Sequence, residues 1–194
     1  MPENNPKQSG QSSLEGVLER ITFYNEENGF LIGKLRENDK SVEIAVVGKA
    51  PQIQCGETLV LEGNWSNHPK HGKQFSFQKF ESKLPASAYG IRKYLGSGLV
   101  HGIGKTYANK IVDHFGADTL KVISEDSGRL REIPGIGSKR VKGIKEAWAE
   151  QKAIREVMMF LQTYGVTDAL CLRLVRKYGD NTKSVLENDP YRII

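Results

Sequence analysis

Two stretches of this chain bring a tight glycine turn, a hydroxyl and a cation together: Gly102-Ile103-Gly104-Lys105-Thr106 and Gly135-Ile136-Gly137-Ser138-Lys139-Arg140. That combination suits an oxyanion. Glycines let the backbone come close, and the unpaired N–H groups that open a following helix point at the negative charge. The letters Gly-Lys-Thr also occur in nucleotide-binding loops, but those need a further glycine at the position held here by Leu99, fed by a buried β-branched strand. Gly98 is one residue too far away, and the preceding segment AYGIRKYLGSG supplies no such strand. The turn is therefore expected to meet one phosphate oxygen rather than to wrap a triphosphate.

The elements that would position these turns are helices. Ala108, Ile111, Val112 and Phe115 recur with helical period after the first turn and end at Gly116. Val141, Ile144 and Trp148 mark the inward face after the second. Ile103 and Ile136, between the glycines, are expected to anchor each turn in the core. Lys142 and Lys145 fit either a solvated helix face or extra backbone contacts. One glycine turn before a helix is common, whereas two matched ones are specific. The pattern resembles the tandem helix-hairpin-helix module, which in its known families binds DNA backbones without reading sequence.

A longer repeat appears at an offset of 63 positions, where Gly102, Val112, Gly116, Thr119, Val122 and Asp126 meet Gly165, Val175, Gly179, Thr182, Val185 and Asp189. Such self-similarity marks a repeated supersecondary unit. The third hairpin, near 165–167, is degenerate. Thr167 replaces Gly104 and Asp168 replaces Lys105, a carboxylate where a phosphate would sit, so this copy is expected to be structural. The same offset would place the next glycine turn past Ile194, and the chain ends on apolar residues, so a fragment of a longer protein is expected.

The N-terminal part reads differently. Residues 1–13 are polar and rich in Pro, Asn and Gln, and are expected to form a disordered tail. Residues 14–84 carry five β runs, the first two flanking a turn that ends in Asn28-Gly29. Val42, Ile44 and Val46 alternate, as do Phe75 and Phe77, which implies one buried face. The fold class expected is thus α+β in two domains: a small OB-like β-barrel, then an all-α tandem helix-hairpin-helix domain over 85–194. In the segment NWSNHPKHGKQF, taken as a loop, Trp65, Lys70 and Lys73 form a possible accessory nucleic-acid or domain contact, with Phe75 and Phe77 assigned mainly to the barrel core.

Charge and composition narrow the function. Of 194 residues, 38% are apolar and the pI is near 9.1, which favours an anionic partner. Residues 1 to 85 hold 10 Lys and Arg against 11 Asp and Glu, and residues 86 to 194 hold 18 against 12, so the basic surplus lies in the helical part. His68 and His71 have the spacing of metal ligands but lack a third partner nearby, and no metal site is expected. Cys55 and Cys171 fall in different domains and suit a reduced cytosolic protein with buried thiols. Nucleophile, base and orienting group do not occur in a recognisable arrangement, and no catalytic residues are assigned. Signal and membrane-spanning runs are absent, and a cytoplasmic, nucleoid-associated location is expected.

A barrel followed by glycine hairpins has two family-level precedents. One is the Holliday-junction-binding RuvA. The chain resembles more closely the N-terminal region of RecD-like bacterial DNA helicases, of the kind that acts without RecB and RecC, through GVLERITFYNEENGFLIGKL, VVGKAPQIQCGETLVLEGNWSNHPKHGKQF, YLGSGLVHGIGKTYANKIVDHFG and YGVTDALCLRLVRKYG with ENDPYRII. In that family this region precedes an ATP-dependent motor moving 5′ to 3′ on single-stranded DNA. The resemblance implies ATP and Mg for the parent protein, none for this chain, which lacks Walker motifs. It implies single-stranded or forked DNA and the motor domains in cis as partners, in repair or recombination. A scaffold packed on the motor and a RuvA-like junction binder remain the alternatives.

Overall fold

The computed structural model describes residues 12–37, 40, 42–50, 53–163, 170, 173–174, 177–178 and 181–188. Five strands come first: β1 (Ser12–Tyr24), β2 (Phe30–Glu37), β3 (Glu43–Lys49), β4 (Thr58–His68) and β5 (Gly72–Lys83). They close into a barrel in the order β1-β2-β3-β5-β4, with β3 and β5 parallel and the other pairs antiparallel. Period-two burial drives this closure. Leu31, Leu35, Leu59 and Leu61 are fully buried, and they meet Leu18, Val46, Phe75 and Phe77 in one core. The turn between β1 and β2 is held by asparagine side chains: Asn25 Oδ1 accepts from the Glu27 amide at 2.8 Å and Asn28 Oδ1 from the Phe30 amide at 3.0 Å.

Two strand boundaries and the burial of one cysteine differ from expectation. Ser12 and Ser13 already belong to β1, because they pair with Gly63 and Glu62 of β4. Val42 precedes β3 and is 65% exposed, so only Ile44 and Val46 of that alternation face inward. Cys55 is half-buried rather than buried, while Cys171 lies outside the described residues.

The helical part contains α1 (Ala88–Gly96), α2 (Lys105–Phe115), α3 (Thr119–Glu125), α4 (Ser138–Thr163) and α5 (Thr182–Asn188). Ser87 caps α1, its hydroxyl accepting from the Gly90 amide at 3.1 Å. One core joins Ile91, Leu95, Ile103, Ile111, Ile123, Leu130, Ile136, Ile144 and Trp148. A smaller cluster of Val157, Leu161 and Leu174 serves the later helices. The repeat is visible as structure, since α3 and α5 lie 63 positions apart and open on fully buried threonines, Thr119 and Thr182. Gly165, Thr167 and Asp168 of the degenerate hairpin lie outside the described residues.

Barrel and helices meet across a seam that leaves no room for extra atoms. Gly56 has φ +94, and a Cβ there would stand 2.4 Å from the Tyr94 amide nitrogen of α1. Two buried carboxylates sit in the seam. Glu19 pairs with Lys93 of α1, with Arg36 at 3.0 Å, and accepts a hydrogen bond from Tyr89. Glu57 accepts from Ser82 and pairs with Arg155 of α4 at 2.5 Å. Burial alone would raise the Glu19 carboxyl, but Lys93, Tyr89 and Arg36 outweigh it and hold it below its ordinary range. Burial and the Glu19 carboxylate push the Tyr89 hydroxyl up to about 12. No described helix is long and apolar enough to cross a membrane.

Candidate nucleic-acid interface

The two glycine turns have the same local construction. Gly102 has φ +89 and Gly135 φ +91, conformations that side chains with a Cβ rarely adopt. Each turn is closed by a hydrogen bond of 3.0 Å, from the Ile103 amide to Val100 and from the Ile136 amide to Ile133. Ile103 and Ile136 are 2% and 3% exposed, as the residues that tie each turn to the core. Burying each contributes about 2 kcal/mol, enough to hold the turn's shape without help from a ligand.

Each turn feeds a helix whose positive end is uncompensated. Gly104 is the N-cap of α2 and provides no side chain to cap it, and neither α2 nor α4 has an acidic residue in its first turn. The first carbonyl bonds go back to the glycines: the Ala108 amide donates to Gly104 at 2.9 Å and the Val141 amide to Gly137 at 3.0 Å. Among the described residues, the amides of Gly104, Lys105, Thr106, Gly137, Ser138 and Lys139 donate to no other backbone carbonyl. Gly102, Gly104, Lys105, Thr106, Gly135, Gly137, Ser138 and Lys139 are all exposed. Each turn thus presents several N–H donors, a hydroxyl and a cation at the positive end of a helix dipole.

The cations differ in how free they are. Lys105 and Lys139 make no ion pair among the described residues, whereas Lys142 lies 3.9 Å from Glu146. Arg140 is half-buried, its Nη1 donating to the Gly135 carbonyl at 2.8 Å and its guanidinium lying 4.1 Å from the centre of the Tyr107 ring. Tyr107 Oη donates to the same carbonyl at 3.3 Å. Sequence reasoning passed over Tyr107. A tyrosine in the first turn of α2 is visible in the sequence, but its reach to the other hairpin exists only in the folded chain.

The barrel's accessory candidates sit on a hairpin rather than a loop. Trp65 pairs with Phe75, Asn67 with Lys73 and His68 with Gly72, so β4 and β5 continue to a tip at residues 69–71 that includes Lys70. Among the described residues β4 pairs with β1 as far as Gly63, and beyond it with β5. Trp65 is 42% exposed, with Lys73 Nζ 4.3 Å from its ring centre and Phe75 packed edge-on beneath at 5.3 Å. Phe75 itself is fully buried and Phe77 nearly so. The His68 and His71 rings stack at 4.7 Å, and among the described residues no group of three or more His, Cys, Asp or Glu could hold a metal. A second exposed aromatic not anticipated is Phe23, 49% exposed beside Phe30.

Comparisons with known proteins cover the chain in three parts. Residues 11–85 match the model described as ATP-dependent DNA helicase YrrC, OB-fold domain. Residues 98–150 match the SAM-like helix-hairpin-helix tandem, and 150–194 match the ATP-dependent RecD2 DNA helicase HHH domain. The ATP-dependent RecD2 DNA helicase of Deinococcus radiodurans is 25% identical over 186 residues, which are 93% of this chain and 26% of that protein. The chain thus spans about a quarter of the length of that relative.

Proposed function

From a chain that carries the OB-fold and helix-hairpin-helix domains of RecD-like DNA helicases, we propose that the two glycine hairpins grip DNA backbone phosphates without reading base sequence. The observation that carries this reading is the pair of exposed turns whose leading amides lack internal acceptors at helix ends without a compensating carboxylate. Phosphate oxygens complete those amides, while Lys105, Thr106, Ser138, Lys139 and Arg140 add charge and hydroxyl contacts.

In this reading the region is accessory. It holds single-stranded or forked DNA for an ATP-dependent, 5′ to 3′ motor acting in cis, in repair or recombination within the bacterial cytoplasm. ATP and Mg belong to that motor. The residues here do not fit a nucleotide, since Ile103 is buried inside the Gly102–Gly104 turn and a helix, not a strand, precedes it. Trp65, Lys70 and Lys73 supply a second contact, the indole stacking on an unpaired base beside a cation.

Anisotropy titrations of this chain with labelled duplex, forked and single-stranded oligonucleotides over a range of salt test the proposal. Binding should weaken steeply with salt, and Lys105→Ala and Lys139→Ala should each lower the slope by about one unit with little change in sequence preference. Affinity indifferent to salt and to both lysines would overturn it.

A further inference from the structure

The two hairpins share one apolar core, and above it a polar contact between them runs through one side chain. Tyr107 belongs to the first hairpin's helix, yet its hydroxyl donates to the Gly135 carbonyl of the second at 3.3 Å. Arg140 donates to that same carbonyl at 2.8 Å and lies over the Tyr107 ring at 4.1 Å. The carbonyl's two lone pairs are thereby filled from opposite hairpins. Gly135 has to be glycine for this approach, because a Cβ would stand 3.2 Å from Tyr107 Oη on a backbone already at φ +91. A further cation, Lys110, places its Nζ 5.6 Å from the same ring centre.

We infer that Tyr107 is a positioning residue that ties the Gly135 turn to the first hairpin's helix and presents Arg140 at the seam between the hairpins as a third phosphate contact. This rests on the reading of the hairpins as phosphate sites. Arg140 and Lys110 have no carboxylate partner among the described residues, so the seam is cationic and uncompensated. One guanidinium edge is occupied by the Gly135 carbonyl and one face lies against the ring. Nε and Nη2 make no hydrogen bond among the described residues and are available as donors. A planar guanidinium held in this way loses little rotamer freedom when an oxyanion arrives, unlike a lysine on a free stem. The chemistry at the seam is that of a backbone phosphate lying between the two that the hairpin amides hold.

The test uses the full chain and a short duplex of mixed sequence. Tyr107→Leu removes both ring and hydroxyl, and should weaken binding about tenfold as the charge-assisted contact of Arg140 is lost. It should also lower the salt slope by about one unit, with the thermal midpoint little changed. Loss of fold would lower the midpoint instead, leaving the slope of the folded fraction alone. Tyr107→Phe keeps the ring beneath the guanidinium and should bind within about twofold of the parent at an unchanged slope, as expected when only a long neutral hydrogen bond is lost. Arg140→Lys keeps the charge but not the fork, and should weaken binding as Tyr107→Leu does; it decides the matter if the leucine variant does not fold. Parent-like affinity in Tyr107→Leu and Arg140→Lys overturns the inference, whereas a Phe variant as weak as the Leu one supports it and assigns the positioning to the hydroxyl bond on Gly135 rather than to the ring. If Lys105→Ala and Lys139→Ala lower the slope while Tyr107→Leu does not, only this inference fails. If none of these three changes it, the phosphate reading of the hairpins fails with it.

Discussion

The seam between barrel and helices and the surface formed by the two hairpins use the same kinds of cation for opposite ends. At the seam, Lys93, Arg36 and Arg155 close on Glu19 and Glu57, whose side chains are 4% exposed, and the charges cancel inside the protein. At the hairpins, Lys105 and Lys139 face outward with no ion pair among the described residues, and the helix ends beneath them carry no acid. A count of basic residues therefore overstates the binding surface, because part of the surplus in residues 86 to 194 is neutralised at the seam. The contrast teaches that a cation's role is set by whether a carboxylate reaches it first.

Removing one partner of a seam pair should have the largest effect. Glu57→Ala leaves Arg155 facing a buried site without its carboxylate and should cost about 3 kcal/mol of stability, the low end for a broken buried pair because Arg155 is 26% exposed. Urea unfolding measures the loss, and DNA affinity of the folded protein should stay within about twofold of the parent, as expected for a site that shares no partners with the hairpins. Unchanged stability would remove the seam's claim to be a structural device.

Glu19→Gln comes next. Three donors around a neutral amide are poorly matched, at a cost of about 1.5 kcal/mol at neutral pH. Because the folded carboxyl titrates below its unfolded value, near pH 4.3, its contribution is present above that pH and is lost as pH falls through the folded value. Urea midpoints measured from neutral pH downward should fall for the parent in that acid window and fall less for the variant. Parallel curves would contradict the cluster's electrostatic role.

The reciprocal experiment is the double change of Lys105 and Lys139 to Ala. Here the stability change should be within about 0.5 kcal/mol, as for surface positions generally, while the salt slope drops by about two units. A large stability loss with an unaltered slope would reverse the comparison. Smallest of all, Lys142→Ala should move neither quantity measurably. Its pair with Glu146 is loose at 3.9 Å, with the two side chains 80% and 67% exposed, and such pairs contribute about 0.5 kcal/mol or less.

Much of this architecture could be read from residue order. Alternation of apolar residues in β3 and β5 marks the barrel, and the glycine turns with Ile103 and Ile136 mark the hairpins, since both patterns are local consequences of side-chain period and of φ above zero. The 63-residue offset reappears as two helices opening on buried threonines. Trp65 and Lys73 stand out for their chemistry but read as a loop, because the polar run NWSNHPKHGKQ carries no apolar alternation to mark strands, although β4 and β5 pair through it across a short tip. Glu19, Tyr107 and Arg155 gave no local signal at all. Their partners in other elements of the fold, Lys93, Gly135 and Glu57, lie 74, 28 and 98 positions away, and nothing in a linear pattern ties residues so separated.

The sequence by itself determined the local units: which segments alternate, where glycine must bend the backbone, and which helices begin without an acid. Only the tertiary structure decided which cations stay free, since neutralising a charge requires a carboxylate to arrive from another element. It also decided that two separate turns share one carbonyl, Gly135, through Tyr107 and Arg140. The physical reason is range: backbone conformation is settled within a few residues, whereas charge pairing and aromatic stacking depend on through-space distance, which chain order does not encode.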